Sequence, residues 1–177
     1  MSIFPTKVLL ATDGSEEAEL ALRTAVDLTN STNSELHVVT VGRRYRPPYD
    51  IPEYGMLVEE AFRRLEQEAQ RILEGQVKKI EEAGRTVAKA HLRLEGPPDR
   101  EIVRLSEEIG AGLIVMGSRG LGGLRRALMG SVSDSVVRHA HCPVLVVRAG
   151  RSTDDGSSWR VSAARSEGSG QSTIALF

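Results

Sequence analysis

The sequence predicts an α/β fold in which a parallel sheet of five strands is covered by helices on both faces, giving a Rossmann-like architecture. Short apolar segments typical of buried strands alternate with longer segments whose apolar residues recur at helical spacing, and this alternation continues to Val147. Beyond Gly150 the composition changes, with seven serines in residues 151–177 and no periodic apolar pattern before Ile174. We therefore expect one domain over residues 1–149 and a flexible tail over residues 150–177.

The five predicted strands differ in their apolar content. Ala88–Glu95 alternates apolar with polar and charged residues, which predicts a strand at or near the sheet edge, with His91 facing solvent. The other four are compact, mainly apolar runs and are expected to be buried; they are Lys7–Ala11, Leu36–Val41, Leu113–Met116 and Pro143–Val147.

Four helices are predicted between these strands. The first follows Ser15, a good N-cap, and Glu16 and Glu17 place negative charge in its first turn. The second is the longest, over about residues 56–83, and the third follows Asp99. The fourth spans Ser131–Ala140. The apolar stripe of the second helix includes Val58, Phe62, Leu65, Ala69, Ile72 and Ile80.

Composition and charge restrict the class of partner. Apolar residues are 40% of the chain, charged residues 27% and the net charge is −1, which argues against a nucleic-acid binder that works through bulk positive charge. The apolar run at Val8–Ala11 is too short for a signal-peptide core, and no segment is long enough to span a membrane. Cys142 is the one cysteine, so no intrachain disulfide can form. We expect a cytoplasmic protein without a membrane partner.

A glycine-rich segment follows the fourth predicted strand. Two residues separate Gly117 from Gly120, and nine residues further on Gly130 and Ser131 open a helix. Glycine lets backbone N–H groups approach an anion closely, and the first N–H groups of a helix have no intrahelical partner. The spacing therefore predicts a phosphate cradle, to which Arg119, Arg125 and Arg126 would add positive charge. A plain turn is the alternative interpretation, because short glycine patterns are common.

The pattern Gly117-x-x-Gly120, nine residues, Gly130-Ser131 resembles the ATP-binding motif of universal stress proteins. Val8–Ser15 resembles the first strand and turn of that family, Leu113–Gly117 its fourth strand and Cys142–Val147 its last, so that the resemblance covers residues 3–148. It implies a strand order of 3-2-1-4-5 and a nucleotide-dependent regulatory protein of the stress response, without strong catalytic turnover.

Site residues follow from the resemblance by position. It implies that Asp13 lies near the ribose and Val41 near the adenine. The remaining residues expected at the nucleotide are Thr12 and Met116 in the pocket and Gly117, Ser118, Arg119, Gly120, Gly130, Ser131, Val132 and Ser133 around the phosphates. The expected ligand is ATP, with AMP or ADP as alternatives and Mg²⁺ carried by the nucleotide. No catalytic residue and no protein-bound metal are expected.

Other functions stay open at the level of sequence. One is a weak ATPase or a nucleotidyl-transfer enzyme on a related fold, and another is a protein-interaction module that uses the tail. His139–Cys142 contains side chains that can bind a metal, but neighbouring side chains at a helix end point apart. A histidine stabilised by the dipole at the C-terminus of the helix is the better explanation. The basic run Arg43–Arg46 is interpreted as a solvated loop.

The last predicted strand also predicts self-association. In a 3-2-1-4-5 order, Pro143–Val147 lies at the sheet edge, where an uncovered apolar strand invites pairing with another chain. We expect a homodimer in which two copies of this strand pair antiparallel about a two-fold axis. The alternative is a monomer in which the tail folds back over the edge.

Overall fold

Strands and helices alternate along the chain as the sequence predicts. The structure is a computed structural model that describes residues 3–42, 55–120, 129–148 and 160–161. In chain order its elements are β1 (Lys7–Ala11), α1 (Glu16–Thr32), β2 (Glu35–Val41), α2 (Gly55–Glu82), β3 (Lys89–Arg93), α3 (Pro98–Ile109), β4 (Leu113–Gly117), α4 (Ser131–His139), β5 (Val144–Arg148) and β6 (Arg160–Val161). The basic run Arg43–Arg46 lies outside the described residues.

The strands form one sheet in the order β3-β2-β1-β4-β5-β6. The first five are parallel, which confirms the predicted order 3-2-1-4-5 and the position of β3 at an edge. The sixth strand was not predicted and lies within the segment expected to be a flexible tail. It pairs antiparallel with the end of β5, Val147 with Val161 and Arg148 with Arg160, so β5 has a neighbour on its outer side at these two residues.

Alternate residues of each central strand enter two separate cores. Val8 and Leu10 of β1 pack in the core under α1 and α2, whereas Leu9 and Ala11 pack in the core under α3 and α4. Successive side chains of a strand point to opposite faces, so a strand covered on both sides must be apolar throughout. The compact runs in the sequence have this property, and the two helical layers hold the strand ends in fixed positions.

The apolar stripe predicted for α2 is only partly buried. Ala69 and Ile80 lie in the core, but Leu65 is 47% exposed, and the position of Leu73 in the core was not predicted. The helix has 28 residues and is about 42 Å long at 1.5 Å per residue. The strand β2 beneath it has seven residues and spans only about 23 Å at 3.3 Å per residue. The helix is therefore longer than the strand. Ala69 lies beside Gly42, the residue after β2, so Leu65, one helical turn before Ala69, lies past the end of that strand.

His91 does not face solvent as predicted. It is half-buried on the face of the sheet that α3 covers, and its Nε2 lies 3.3 Å from Nδ1 of His37 on β2. The register pairs Val39 with His91, so the two histidines are diagonal neighbours on one face. Burial, together with the charges of His37, Lys89 and Arg93, lowers the pKa of His91 to about 4. The alternating pattern gives the face of a residue but does not show that a helix covers that face.

None of the helices in the described part of the chain combines the length and the apolar content that a membrane crossing requires.

Candidate functional site

The carboxyl ends of β1 and β4 meet in the middle of the sheet, where the register pairs Ala11 with Met116. The chain winds from β1 to β2 on one side and reaches β4 on the other, so the winding direction reverses between β1 and β4. In open α/β sheets this reversal leaves a crevice between the loops that follow the two strands, and ligands bind in it. Here those loops contain Asp13 and the first glycine pair, Gly117 and Gly120.

Asp13 lies against Gly120. Oδ1 of Asp13 accepts a hydrogen bond of 3.1 Å from the backbone N–H of Ser15, which fixes the turn that leads into α1. A Cβ atom at residue 120 would lie 2.2 Å from Oδ2 of Asp13. The residue predicted to contact ribose and the loop predicted to contact phosphate are thus adjacent, although 106 residues separate them in the sequence.

The two halves of the glycine motif are joined by hydrogen bonds to one carbonyl group. The carbonyl of Ser118 accepts from the backbone N–H of Gly130 and from the hydroxyl of Ser133, each at 2.7 Å. The N–H of Ser118 donates to the carbonyl of Val147 on β5 at 2.8 Å. Gly117–Gly120 and Gly130–Ser133 are therefore joined into one unit. The intervening Arg125 and Arg126 lie outside the described residues.

Helix α4 begins at this unit with backbone donors available. Its N-cap is Gly130, which provides no side-chain oxygen to accept from the first N–H groups, and Ser131 is exposed beside it. Such a helix start favours an anion through its free N–H groups and its dipole. The helix is fixed to α3 by a hydrogen bond of 2.6 Å from the Ser135 hydroxyl to Asp99, and this bond holds the pKa of the Asp99 carboxyl below its usual value.

The hydroxyl groups of Ser118 and Ser133 are directed into the protein. Both residues are at least 97% buried; Ser118 donates to Glu17, and Ser133 donates to the carbonyls of Ser118 and Gly130. A serine hydroxyl has a single proton to donate. We therefore expect Ser133 to contact a ligand through its backbone N–H group, whereas both the hydroxyl and the N–H group of Ser118 already donate within the protein.

The residues predicted on the adenosine side lie at the ends of neighbouring strands. Met116 is buried at the end of β4, and Val41 is half-buried at the end of β2. Thr12 is buried as well, but its hydroxyl is turned toward α2, where it donates to Oε1 of Gln76 at 3.1 Å. Its role in lining the pocket is thus limited to its backbone and methyl group.

Comparison with known proteins agrees with this arrangement. The profile of the universal stress protein family matches residues 5–148, which contain the whole parallel sheet and the glycine motif. The chain belongs to the universal stress protein family. It is 36% identical over 149 residues to universal stress protein YxiE of Bacillus subtilis, covering 80% of this chain and 98% of that one.

Solved structures of other proteins have the same fold. The structure of the protein MJ0577 superposes with a TM-score of 0.67 at 30% sequence identity, covering 84% of this chain and 99% of that one. A universal stress protein of Archaeoglobus fulgidus, solved in complex with dAMP, superposes with a TM-score of 0.57 at 25% identity, covering 82% of this chain and 98% of that one.

Two residues beside the site of this universal stress protein were missed at the level of sequence. Glu17 was explained by the helix dipole alone, yet it is 6% exposed and accepts hydrogen bonds from the glycine loop. It precedes Ala21 by four residues and Ala25 by eight, and because both alanines are fully buried this spacing places Glu17 on the inner face of α1. Gln76 is buried on α2 and joins Thr12 to Glu19, to which it donates at 2.6 Å.

A metal-binding cluster of three or more histidine, cysteine or acidic side chains does not occur among the described residues. His139 is the last residue of α4. Its Nδ1 lies 2.8 Å from the carbonyl oxygen of Ser135, and the Nδ1–H group donates a hydrogen bond to that carbonyl.

Proposed function

We propose that this chain binds an adenine nucleotide, with ATP as the principal ligand, in the crevice between the ends of β1 and β4. The observation that supports the proposal most strongly is the contact between Asp13 and the Gly117–Gly120 loop beside the uncapped start of α4. An acidic side chain can accept from ribose hydroxyls, and free backbone N–H groups can donate to phosphates. The two kinds of group lie together as a nucleoside phosphate requires.

The described residues fit such a ligand. Gly130 leaves the first N–H groups of α4 without a side-chain acceptor, so that an anion can take that place. The dAMP complex of the Archaeoglobus fulgidus relative supports an adenine nucleotide as the class of ligand. When bound, the nucleotide would bring its own Mg²⁺, and this chain would contribute backbone donors and the Asp13 carboxylate.

We propose a regulatory role without strong turnover. Calorimetry should show binding of ATP, weaker binding of GTP, and loss of ATP binding in Gly130→Val, where a Cβ would already lie 3.2 Å from the Ser118 carbonyl oxygen. Gly75→Ala is the matched control, because it changes an exposed glycine of α2 with nothing within 4 Å of the new Cβ. The absence of ATP binding up to millimolar concentration would disprove the proposal. Rapid release of phosphate at saturating Mg-ATP would favour an ATPase instead.

We also propose that the protein is cytoplasmic and forms a homodimer through β5. Within the described residues, the outer side of β5 is paired by β6 only at Val147 and Arg148. The outer edge at Val144–Val146 lies beyond the two residues that pair with β6, and a second copy of β5 could pair there. The short β6 would compete with the second copy at the end of the strand.

A further inference from the structure

We infer that Glu17 is a positioning residue of the glycine loop: its buried carboxylate holds Ser118 and Arg119 and so fixes the shape of the phosphate cradle. Only the effect of Glu17 on nucleotide affinity rests on the proposed function. The effect of Glu17 on the loop can be measured without any ligand.

Both carboxylate oxygens of Glu17 accept hydrogen bonds from the loop. Oε2 accepts from the hydroxyl of Ser118, while Oε1 accepts from Nε of Arg119 at 2.8 Å and from a second nitrogen of the same guanidinium. Two consecutive loop residues are thus held by one side chain of another element. Bonds between a carboxylate and a guanidinium are among the strongest in proteins and restrict orientation as well as distance.

The burial of this cluster indicates a role in positioning the loop. The side chain of Glu17 is 8% exposed and that of Arg119 is 25% exposed. A buried carboxylate without its partner is costly, so Arg119 cannot leave Glu17 for a phosphate without leaving that charge unpaired. The guanidinium of Arg119 therefore binds Glu17, and we expect backbone N–H groups to bind the phosphates.

The backbone of α1 also contacts the loop closely. A Cβ at residue 117 would lie 2.9 Å from the carbonyl carbon of Glu17, so the first turn of α1 lies directly against Gly117. The hydroxyl of Ser15, which caps α1 at Ala18, is 3.4 Å from the carbonyl oxygen of Arg119. Backbone contact and the Glu17 side chain thus hold the loop from the same element.

Glu17→Ala tests the inference, with Glu101→Ala as the matched control, because Glu101 is equally buried in the first turn of α3. Glu17→Ala should raise amide hydrogen exchange at Ser118–Gly120 and weaken ATP binding about tenfold, the effect of leaving buried donors without an acceptor. Glu101→Ala should leave both the exchange of that loop and the affinity for ATP unchanged. Glu17→Gln, which keeps one acceptor oxygen and nearly the same volume, should recover part of the affinity.

A double-mutant cycle shows whether Glu17 acts through Arg119. The variant with Glu17→Ala and Arg119→Ala should bind ATP no more weakly than Glu17→Ala alone, because the ion pair is already broken. Additive losses would show that the two residues act separately and would overturn the inference. Unchanged loop exchange in both Glu17 variants, or tighter ATP binding in them, would overturn it too. If the wild-type chain binds no nucleotide, the proposed function fails, and the exchange data still decide the role of Glu17.

Discussion

Oδ2 of Asp13 occupies the space next to Gly120 so closely that a Cβ at residue 120 would lie only 2.2 Å from it. Gly120→Ala must therefore displace the Asp13 carboxylate. Because that displacement involves the end of one side chain at a partly open site, we expect the melting temperature to change little. We expect ATP affinity to fall by about tenfold or more, through loss of one charge-assisted hydrogen bond.

The control for this prediction is a second variant, Gly120→Ala with Asp13→Ala. If the clash acts through Asp13, the double variant should bind ATP as weakly as Asp13→Ala alone in calorimetry. Normal binding by Gly120→Ala would show that the crevice is not where the nucleotide lies.

The exposed glycine in the middle of α2 offers a stabilising substitution. Nothing lies within 4 Å of a Cβ built on Gly75, so alanine would add no clash and would restrict the unfolded chain. We expect Gly75→Ala to raise the free energy of unfolding by about 0.5–1 kcal/mol, the usual cost of glycine in a helix interior. Urea denaturation measures the change, and a loss of stability would indicate that the backbone at this position is not regular helix.

The histidine pair predicts how stability depends on pH. The pKa of His91 is about 4 in the folded protein, whereas an unperturbed histidine has a pKa of 6.5. As the pH falls, His91 is therefore protonated in the unfolded chain before it is protonated in the folded protein. The contribution of His91 to the free energy of unfolding is therefore highest above pH 6.5 and decreases as the pH falls from 6.5 toward 4. The positive groups that face His91 are Lys89 and Arg93 of its own strand, and Glu108 of α3 opposes them; the ring of His37 on β2 faces it as well.

Replacement of His91 by glutamine should therefore flatten the dependence of unfolding free energy on pH between 4 and 6.5. His139→Gln is the control, since His139 is exposed at the end of α4. Equal pH profiles for the wild-type chain and His91→Gln would contradict the prediction.

The C-terminal segment should be dispensable for folding of the domain. Among the described residues, both cores end at Val147, and β6 pairs with only two residues of β5. A chain that ends at Gly150 should melt within a few degrees of the full chain. Because β6 competes for the end of β5, the shortened chain should also dimerise more tightly in sedimentation experiments.

Val146→Lys provides the control for dimerisation, because a lysine on an edge strand opposes pairing with another chain. It should weaken the dimer in both the full and the shortened chain. A monomer mass for both wild-type lengths at micromolar concentration would refute dimerisation through β5.

The five parallel strands and the glycine-rich loop could be located from local patterns, whereas the strand order came from the family resemblance. Apolar runs bounded by turns locate buried strands, and glycines at fixed spacing locate a loop that approaches another backbone closely. The prediction that Asp13 lies near the ribose rested on family resemblance and stays a prediction.

Other features depend on contacts between distant residues and could not be predicted in this way. The burial of His91 requires knowledge that α3 covers its face, and the exposure of Leu65 depends on the relative lengths of α2 and β2. The contacts of Glu17 with Ser118 and Arg119 join residues about a hundred positions apart. The helix dipole already explains a carboxylate in a first helical turn, so the residues next to Glu17 in the sequence did not indicate a contact with the loop.

Because the site joins residues 12–17 to residues 117–133, its completion has consequences for synthesis on the ribosome. Strand β1 emerges early but lies between β2 and β4, and β4 emerges about a hundred residues later. A nascent chain that ends before Gly117 would have Asp13 and Glu17 without the loop they contact, and nucleotide could not assist the folding of that half. Any stabilisation by ligand would begin only once nearly the whole domain has been translated, since domains generally fold as units during synthesis.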